Sequence, residues 1–241
     1  MKILITGTNG FIGKNLLNEL KDQHEILEIN EDIFDKPKWY DEIFFLLNNF
    51  EPDVIFHVGA CSDTLETDVN YMMTRNVEST MILADWCRGN NIPMVYSSSA
   101  AVEGSHGHPE TLYAWSKYLG EKYVVACGGI ALRYFNVYGS SEAHKGKMAS
   151  IAFQSYKKDK WGEKVLLFPK KPHRDFVYVN DVVSANIHAW ENYDKLDKTW
   201  YHVGSGQTRT FEDVLDLMQI PFDYTSEDKI PYNYQYLTQA D

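Results

Sequence analysis

The sequence predicts an α/β fold built on a doubly wound parallel sheet, and three observations predict it. Short β-rich runs alternate with helical stretches through the first 140 residues, as a parallel sheet covered on both faces requires. The first run, Lys2–Thr6, turns at once into the glycine-rich Gly7-Thr8-Asn9-Gly10-Phe11-Ile12-Gly13. Beyond that turn, Ile12, Leu16, Leu17 and Leu20 recur at helical rather than alternating spacing.

Taken in order, Lys2–Thr6 reads as a buried strand and the segment to about Gln23 as a helix. Glu25–Asn30 is a second strand, Trp39–Asn49 a helix, and Val54–Val58 a third strand after Pro52. Val69–Asn90 reads as one long helix. Met94–Tyr96 is a strand that delivers Ser97–Ser99 at its C-terminal end, followed by a helix over Tyr113–Ala126 and a strand over Ile130–Tyr134. After Gly139 the rhythm changes. A polar loop with His144-Lys145-Gly146-Lys147 precedes a helix over Ala149–Lys158, a strand over Val165–Phe168 and a helix over Val179–Tyr193. Thr210-Phe211-Glu212-Asp213 has the pattern of a capping box opening a helix through Met218. The predicted division is a dinucleotide-binding domain over 1–140 with a return segment near 175–207, and a small substrate-binding lobe over 141–174 and 208–241.

At 241 residues the chain can bury a full core. Its net charge of −11 argues against a nucleic-acid partner. Cys61, Cys87 and Cys127 are odd in number and lack metal-type spacing, so they read as reduced thiols. With no apolar run long enough for a signal peptide or a bilayer span, the expectation is a soluble, cytoplasmic protein.

The glycine turn carries the first chemical reading. Gly7 permits a tight turn, Gly10 lets backbone approach a pyrophosphate, and Gly13 lets helix pack on strand, which is the signature of a Rossmann-type dinucleotide site. The helix N-terminus adds N–H donors for the anion. Near the end of the second strand, an acidic residue would accept from an adenosine ribose and favour NAD. Here Asn30 and Glu31 occupy that place, with Lys36 and Lys38 close behind. Loss of one carboxylate and nearby cations lean toward NADP; Glu31 serving the ribose would keep NAD.

Tyr113 and Lys117 are four apart on the predicted helix, hence on one face. The lysine charge would favour the phenolate and bring Tyr113 toward neutral titration, while Lys117 would also hold the nicotinamide ribose. Ser99 could hydrogen-bond a substrate hydroxyl during proton exchange with Tyr113. Alone, Tyr-x-x-x-Lys also describes a solvated helix face; after the glycine turn and serine strand it points to redox chemistry at a carbinol carbon. Asn136 could hold a substrate hydroxyl or phosphate, and Arg174 offers a fork for a diphosphate. Arg133 could do likewise or pair with a core carboxylate. Lys145 reads on its own chemistry as a surface lysine, with a second proton donor as the other reading. His57 reads as a packed core histidine, and no metal site is read from His106, His108 or His144.

Several of these motifs resemble the extended short-chain dehydrogenase/reductase family of nucleotide-sugar enzymes. They are Phe56-His57-Val58-Gly59-Ala60-Cys61-Ser62, Tyr71-Met72-Met73, Arg133-Tyr134-Phe135-Asn136-Val137-Tyr138-Gly139, His144-Lys145-Gly146-Lys147, Arg174-Asp175-Phe176-Val177-Tyr178-Val179 and Tyr234-Gln235-Tyr236-Leu237. The resemblance implies an epimerase that works by transient oxidation and re-reduction with bound NADP, on an ADP-heptose-like nucleotide sugar destined for lipopolysaccharide precursors. A homo-oligomer is implied too. Tyr113 and Lys145 become two proton carriers on opposite faces of the sugar carbon. Cofactor contacts are implied at Phe11, Ile12, Asp32, Ile33, Val58, Gly59, Ala60, Cys61, Ser62, Asn76 and Val137. Substrate contacts are implied at Asn136, Arg174 and Tyr234, while Lys147 and Gln154 stand where the family has a substrate-contacting serine and histidine. Glu103 replaces the usual tyrosine, the Ser99–Tyr113 loop is short, and a strand-helix unit is missing after the second strand. These departures keep two alternatives open: a nucleotide-sugar reductase or dehydrogenase, and an inactive dinucleotide-binding protein.

Overall fold

The computed structural model describes residues 1–230 and 235–241, and the substrate contact expected at Tyr234 lies outside them. Its centre is a six-stranded parallel sheet of β1 (Lys2–Thr6), β2 (Glu25–Ile29), β3 (Val54–His57), β4 (Met94–Ser99), β5 (Ile130–Tyr134) and β9 (Trp200–Val203). The order is β2-β1-β3-β4-β5-β9, so the chain reverses direction across the sheet between β1 and β3. That reversal is the switch point at which ligands bind doubly wound sheets. β2 is the edge strand here, consistent with the short connection after it.

Strand alternation sorts the core into two layers. Ile3, Ile5, Val54 and Phe56 face Leu16 and Leu20 of α1 (Phe11–Leu20) and Val182 and Val183 of α7 (Val179–Glu191). Leu4 and Ile55 face the other way, against α2 (Trp39–Phe50), α4 (Ser79–Asn90) and α5 (Leu112–Ala126), through Leu47, Leu83 and Val124. Before α4 lies the short α3 (Val69–Met73), joined to it by a π turn, Thr74–Glu78. The single helix expected over Val69–Asn90 is therefore interrupted in its middle.

The C-terminal part adds β6 (Asn136–Tyr138), α6 (Ile151–Lys160), β7 (Val165–Leu167), β8 (His173–Tyr178), β10 (Thr208–Thr210), α8 (Phe211–Met218), β11 (Phe222–Tyr224) and β12 (Leu237–Thr238). β8 pairs with β10, β12 and β6, and β7 pairs with β11. Val165, Leu167, Leu215 and Ile220 form a separate small core. Asp175 is fully buried and accepts from Ser205, Gly206 and Ala240 N–H groups, stapling three segments together. The expected capping box is present: Thr210 and Asp213 bond each other's backbone N–H. Asn30 and Val58 fall just outside their strands, and the polar loop after Glu142 is wound as a 3-10 turn, Ala143–Met148.

Candidate active site

The C-terminal ends of the parallel strands open onto one cavity of about 650 Å³. Gly7, Gly10, Phe11, Ile12 and Gly13 line it from the first turn, Asn30 and Glu31 from beyond β2, and Val58–Ser62 from beyond β3. Tyr113 and Lys117 of α5 line it as well, as does Lys145 of the 3-10 turn. From β2 to β4 is three strand spacings, about 14 Å. The cavity is therefore extended along the sheet edge.

Backbone approach dictates the glycines. Gly7 has φ +72°, and a Cβ there would lie 2.5 Å from Gly59 Cα. A Cβ on Gly13 would lie 2.2 Å from the Gly7 carbonyl oxygen. Gly10 caps α1 without a side-chain acceptor, which leaves first-turn N–H groups for an anion. A long cavity with unclaimed helix donors at its middle fits a dinucleotide pyrophosphate.

At the β2 end, Asn30 is turned into the protein. Its Oδ1 accepts from Asn9 N at 3.0 Å and its Nδ2 donates to Thr8 Oγ1 at 2.9 Å. Glu31 accepts from the Tyr71 hydroxyl at 2.7 Å and from Arg75 Nε at 3.3 Å. Lys36 and Lys38, expected to favour a phosphate here, instead pair with Glu42 and Asp41 and do not line the cavity. They are drawn off because the 3-10 turn Glu31–Asp35 and α2 carry them away from the strand ends.

At the other end Tyr113 is half-buried, and desolvation pushes its hydroxyl above the usual tyrosine range; a hydrogen bond from Ser99 opposes this. Lys117 donates to the Ser97 carbonyl at 2.6 Å and is pushed down to about 7 by burial. The phenol expected to be acidified by Lys117 is thus held protonated, because desolvation of both groups outweighs their spacing. Lys145 lies 5.1 Å from the Phe11 ring, its ammonium lowered by burial and partly restored by Glu142.

The remaining expected site residues are placed differently. Asn76 is buried behind the wall, within the π turn. Asp32 and Ile33 belong to the turn Glu31–Asp35, with Ile33 packed in the core. Val137 packs against the core from β6. Asn136 Nδ2 donates to Thr238 Oγ1, Gln154 Nε2 to the Ala149 carbonyl, and Arg174 Nη1 to the His173 carbonyl. None of these three lines the large cavity, nor does Ser99, whose neighbours Ser97 and Ser98 do. Lys147 contributes its backbone to the 3-10 turn. Sequence reasoning overlooked Phe34 and Arg75 on the wall. The signal for Arg75 was its spacing of four from Tyr71.

Two expectations resolve as packing. His57 sits between Thr6 Oγ1 and Thr80 Oγ1, each at 2.8 Å, and burial, helped by Lys117, pushes it down to about 3. Arg133 forks onto Glu121 at 2.6 and 2.8 Å and reaches Glu103 at 2.8 Å, over the Trp200 ring.

This geometry coincides with a family pattern, the NAD dependent epimerase/dehydratase model, which matches residues 3–204. The chain belongs to that family. It is 33% identical to an ADP-L-glycero-D-manno-heptose-6-epimerase of Brachyspira hyodysenteriae, over 99% of this chain and 89% of that protein. The alignment spans 284 residues against 241 here, so the relative of this epimerase-family chain carries segments it lacks. The crystal structure of the Helicobacter pylori ADP-L-glycero-D-manno-heptose-6-epimerase superposes with a TM-score of 0.81 at 27% identity, covering 92% of this chain and 84% of that one. A UDP-N-acetylglucosamine 4-epimerase from Methanobrevibacter ruminantium shares the fold, with a TM-score of 0.85 at 24% identity over 100% of this chain and 89% of that one. Among the described residues no helix is long and apolar enough to cross a membrane.

Proposed function

We propose that this family member is a nucleotide-sugar epimerase acting on an ADP-glycero-manno-heptose-like substrate with tightly bound NADP. The observation that supports the reading is that Tyr113 and Lys145 line the same cavity as the glycine turn. The resemblance of the two heptose epimerases to the chain supports the choice of sugar.

Bound in this cavity, the nicotinamide would supply reversible hydride transfer at a carbinol carbon. The chain's own groups move the protons. Burial favours the Tyr113 hydroxyl as a neutral donor, with the Ser99 hydrogen bond working the other way. Burial lowers the Lys145 ammonium, against the pull of Glu142, which eases exchange of its proton. Two proton carriers in one cavity are what inversion through a ketone needs, since each face of the carbon requires its own. Lys117 ties α5 to β4 through the Ser97 carbonyl. In this reading 141–174 and 208–241 form the substrate lobe, with Ser99, Asn136, Lys147, Gln154, Arg174 and Tyr234 on the sugar-nucleotide side.

The test is Tyr113→Phe assayed on ADP-heptose by NMR of the product. Turnover should fall by about 10²-fold or more with the fold intact by circular dichroism. Full activity in the variant would refute the assignment. Inverted product without net change in nicotinamide absorbance is the expected wild-type result; a stoichiometric absorbance change would instead make the protein a reductase or dehydrogenase.

A further inference from the structure

The β2 end of the cavity holds an arrangement that the proton chemistry does not use. Arg75 sits in the π turn between α3 and α4 with its side chain only 16% exposed. Its guanidinium carbon lies 3.6 Å from the centroid of the Tyr71 ring and 5.0 Å from that of Phe34. Nε donates to Glu31, and Glu31 is fixed in turn by the Tyr71 hydroxyl. The fork is therefore held on one side by an aromatic surface and at its root by a carboxylate. Nη1 and Nη2 donate to no partner among the described residues.

The other groups at this end are spoken for. Asn30 spends its amide on Thr8 and Asn9. Lys36 and Lys38 are paired outside the cavity, Lys117 donates to the Ser97 carbonyl, and Lys145 lies over the Phe11 ring. In a chain of net charge −11, Arg75 is the cation on this part of the wall among the described residues. A planar fork with two free terminal nitrogens is matched to a phosphate monoester, which takes paired N–H donors. Glu31 repels that phosphate, but its side chain is 69% exposed and its charge is screened by water.

We propose that Arg75 is the residue that selects NADP over NAD, donating from Nη1 and Nη2 to the phosphate on the adenosine ribose while Nε stays on Glu31. The proposal rests on the dinucleotide reading of the cavity and adds the group that distinguishes the two cofactors. Arg75 is a specificity residue in it and takes no part in the proton transfers.

The experiment is fluorescence titration of protein freed of bound nucleotide with NADPH and with NADH, for wild type and three variants. Wild type should bind NADPH at least about tenfold tighter. Arg75→Met keeps an apolar arm on Tyr71 and should lower the NADPH/NADH affinity ratio by about tenfold while leaving NADH binding within about twofold. Arg75→Lys keeps the charge without the fork and should also lower the ratio; it decides the matter if the methionine variant does not fold. Glu31→Gln should raise the ratio. A wild type that prefers NADH, or variants that weaken both nucleotides in proportion, would overturn the role of Arg75 while leaving the dinucleotide site standing. Failure of wild type to bind either nucleotide would remove the dinucleotide reading itself.

Discussion

Asn76 clasps the backbone of Cys61 from both sides: its Oδ1 accepts from the Cys61 N–H at 2.7 Å, and its Nδ2 donates to the Cys61 carbonyl at 3.0 Å. Nδ2 also donates to Ser116 Oγ at 2.9 Å, on the helix that carries Tyr113. One buried amide thus fastens the loop after β3 to α5. Asn76→Ala would orphan a partly buried N–H and should cost about 1–3 kcal/mol. Urea denaturation measures that loss, and dinucleotide affinity should fall with it because Val58–Ser62 line the cavity. Unchanged stability would mean that the clasp is dispensable.

Gly13 is constrained by backbone rather than by a flexible side chain. A methyl group there would meet the Gly7 carbonyl oxygen at 2.2 Å, so the turn itself must move. Gly13→Ala should destabilise by about 1–3 kcal/mol and abolish dinucleotide binding. Gly89→Ala is the matched control, since nothing lies within 4 Å of its added carbon on α4. There the gain in helix propensity should leave stability equal or up to about 1 kcal/mol higher. Thermal melts of both variants check the contrast.

Glu142 folds the segment bearing Lys145 back upon itself. Its Oε1 accepts from Gly139 N at 3.2 Å and from Ser150 Oγ at 2.8 Å, while Oε2 accepts from Ser150 N at 2.6 Å. Its charge also works against the burial that lowers Lys145. Glu142→Gln would set an amide N–H against a donor and withdraw that charge. Turnover should drop, and the Lys145-dependent limb of the rate–pH profile should move to lower pH. Lost turnover with an unmoved profile would assign Glu142 a packing role only.

Much of this was written where the physics is local. The strands around the switch point announce themselves because continuous apolar runs such as Ile3-Leu4-Ile5 suit a sheet buried on both faces. The glycine turn is legible because each glycine answers a short-range steric demand. What depends on distant partners was not legible. The π turn exists where Asn76 meets Cys61 and Ser116, 15 and 40 residues away in sequence. Arg75 acquires its meaning only beside Glu31 and Phe34, which no periodicity places next to it. Helical spacing puts Tyr113 and Lys117 on one face but says nothing of how deeply that face is buried, and burial is what shifts both groups. Strands of two or three residues, such as β6 and β12, carry too few side chains to show a period.

Lys117 gives the pH test, because its folded and unfolded states hold protons differently. Burial pushes the folded group down to about 7, whereas in the unfolded chain it keeps the ordinary lysine value. Between those limits the unfolded state binds more protons, so raising the pH favours the folded one. Lys117→Met removes the titrating group, at the expense of the bond to the Ser97 carbonyl. The stability of wild type relative to the variant should therefore rise steadily from pH 7 to pH 9, with the disadvantage of the buried charge greatest at the lower end. Staying above pH 7 keeps His57 out of the comparison, since its folded value of about 3 and its ordinary value both lie below that window. Urea midpoints for the two proteins across the window measure the difference. A flat difference would mean that Lys117 keeps its proton in the fold, with the ammonium held by Ser97 against desolvation.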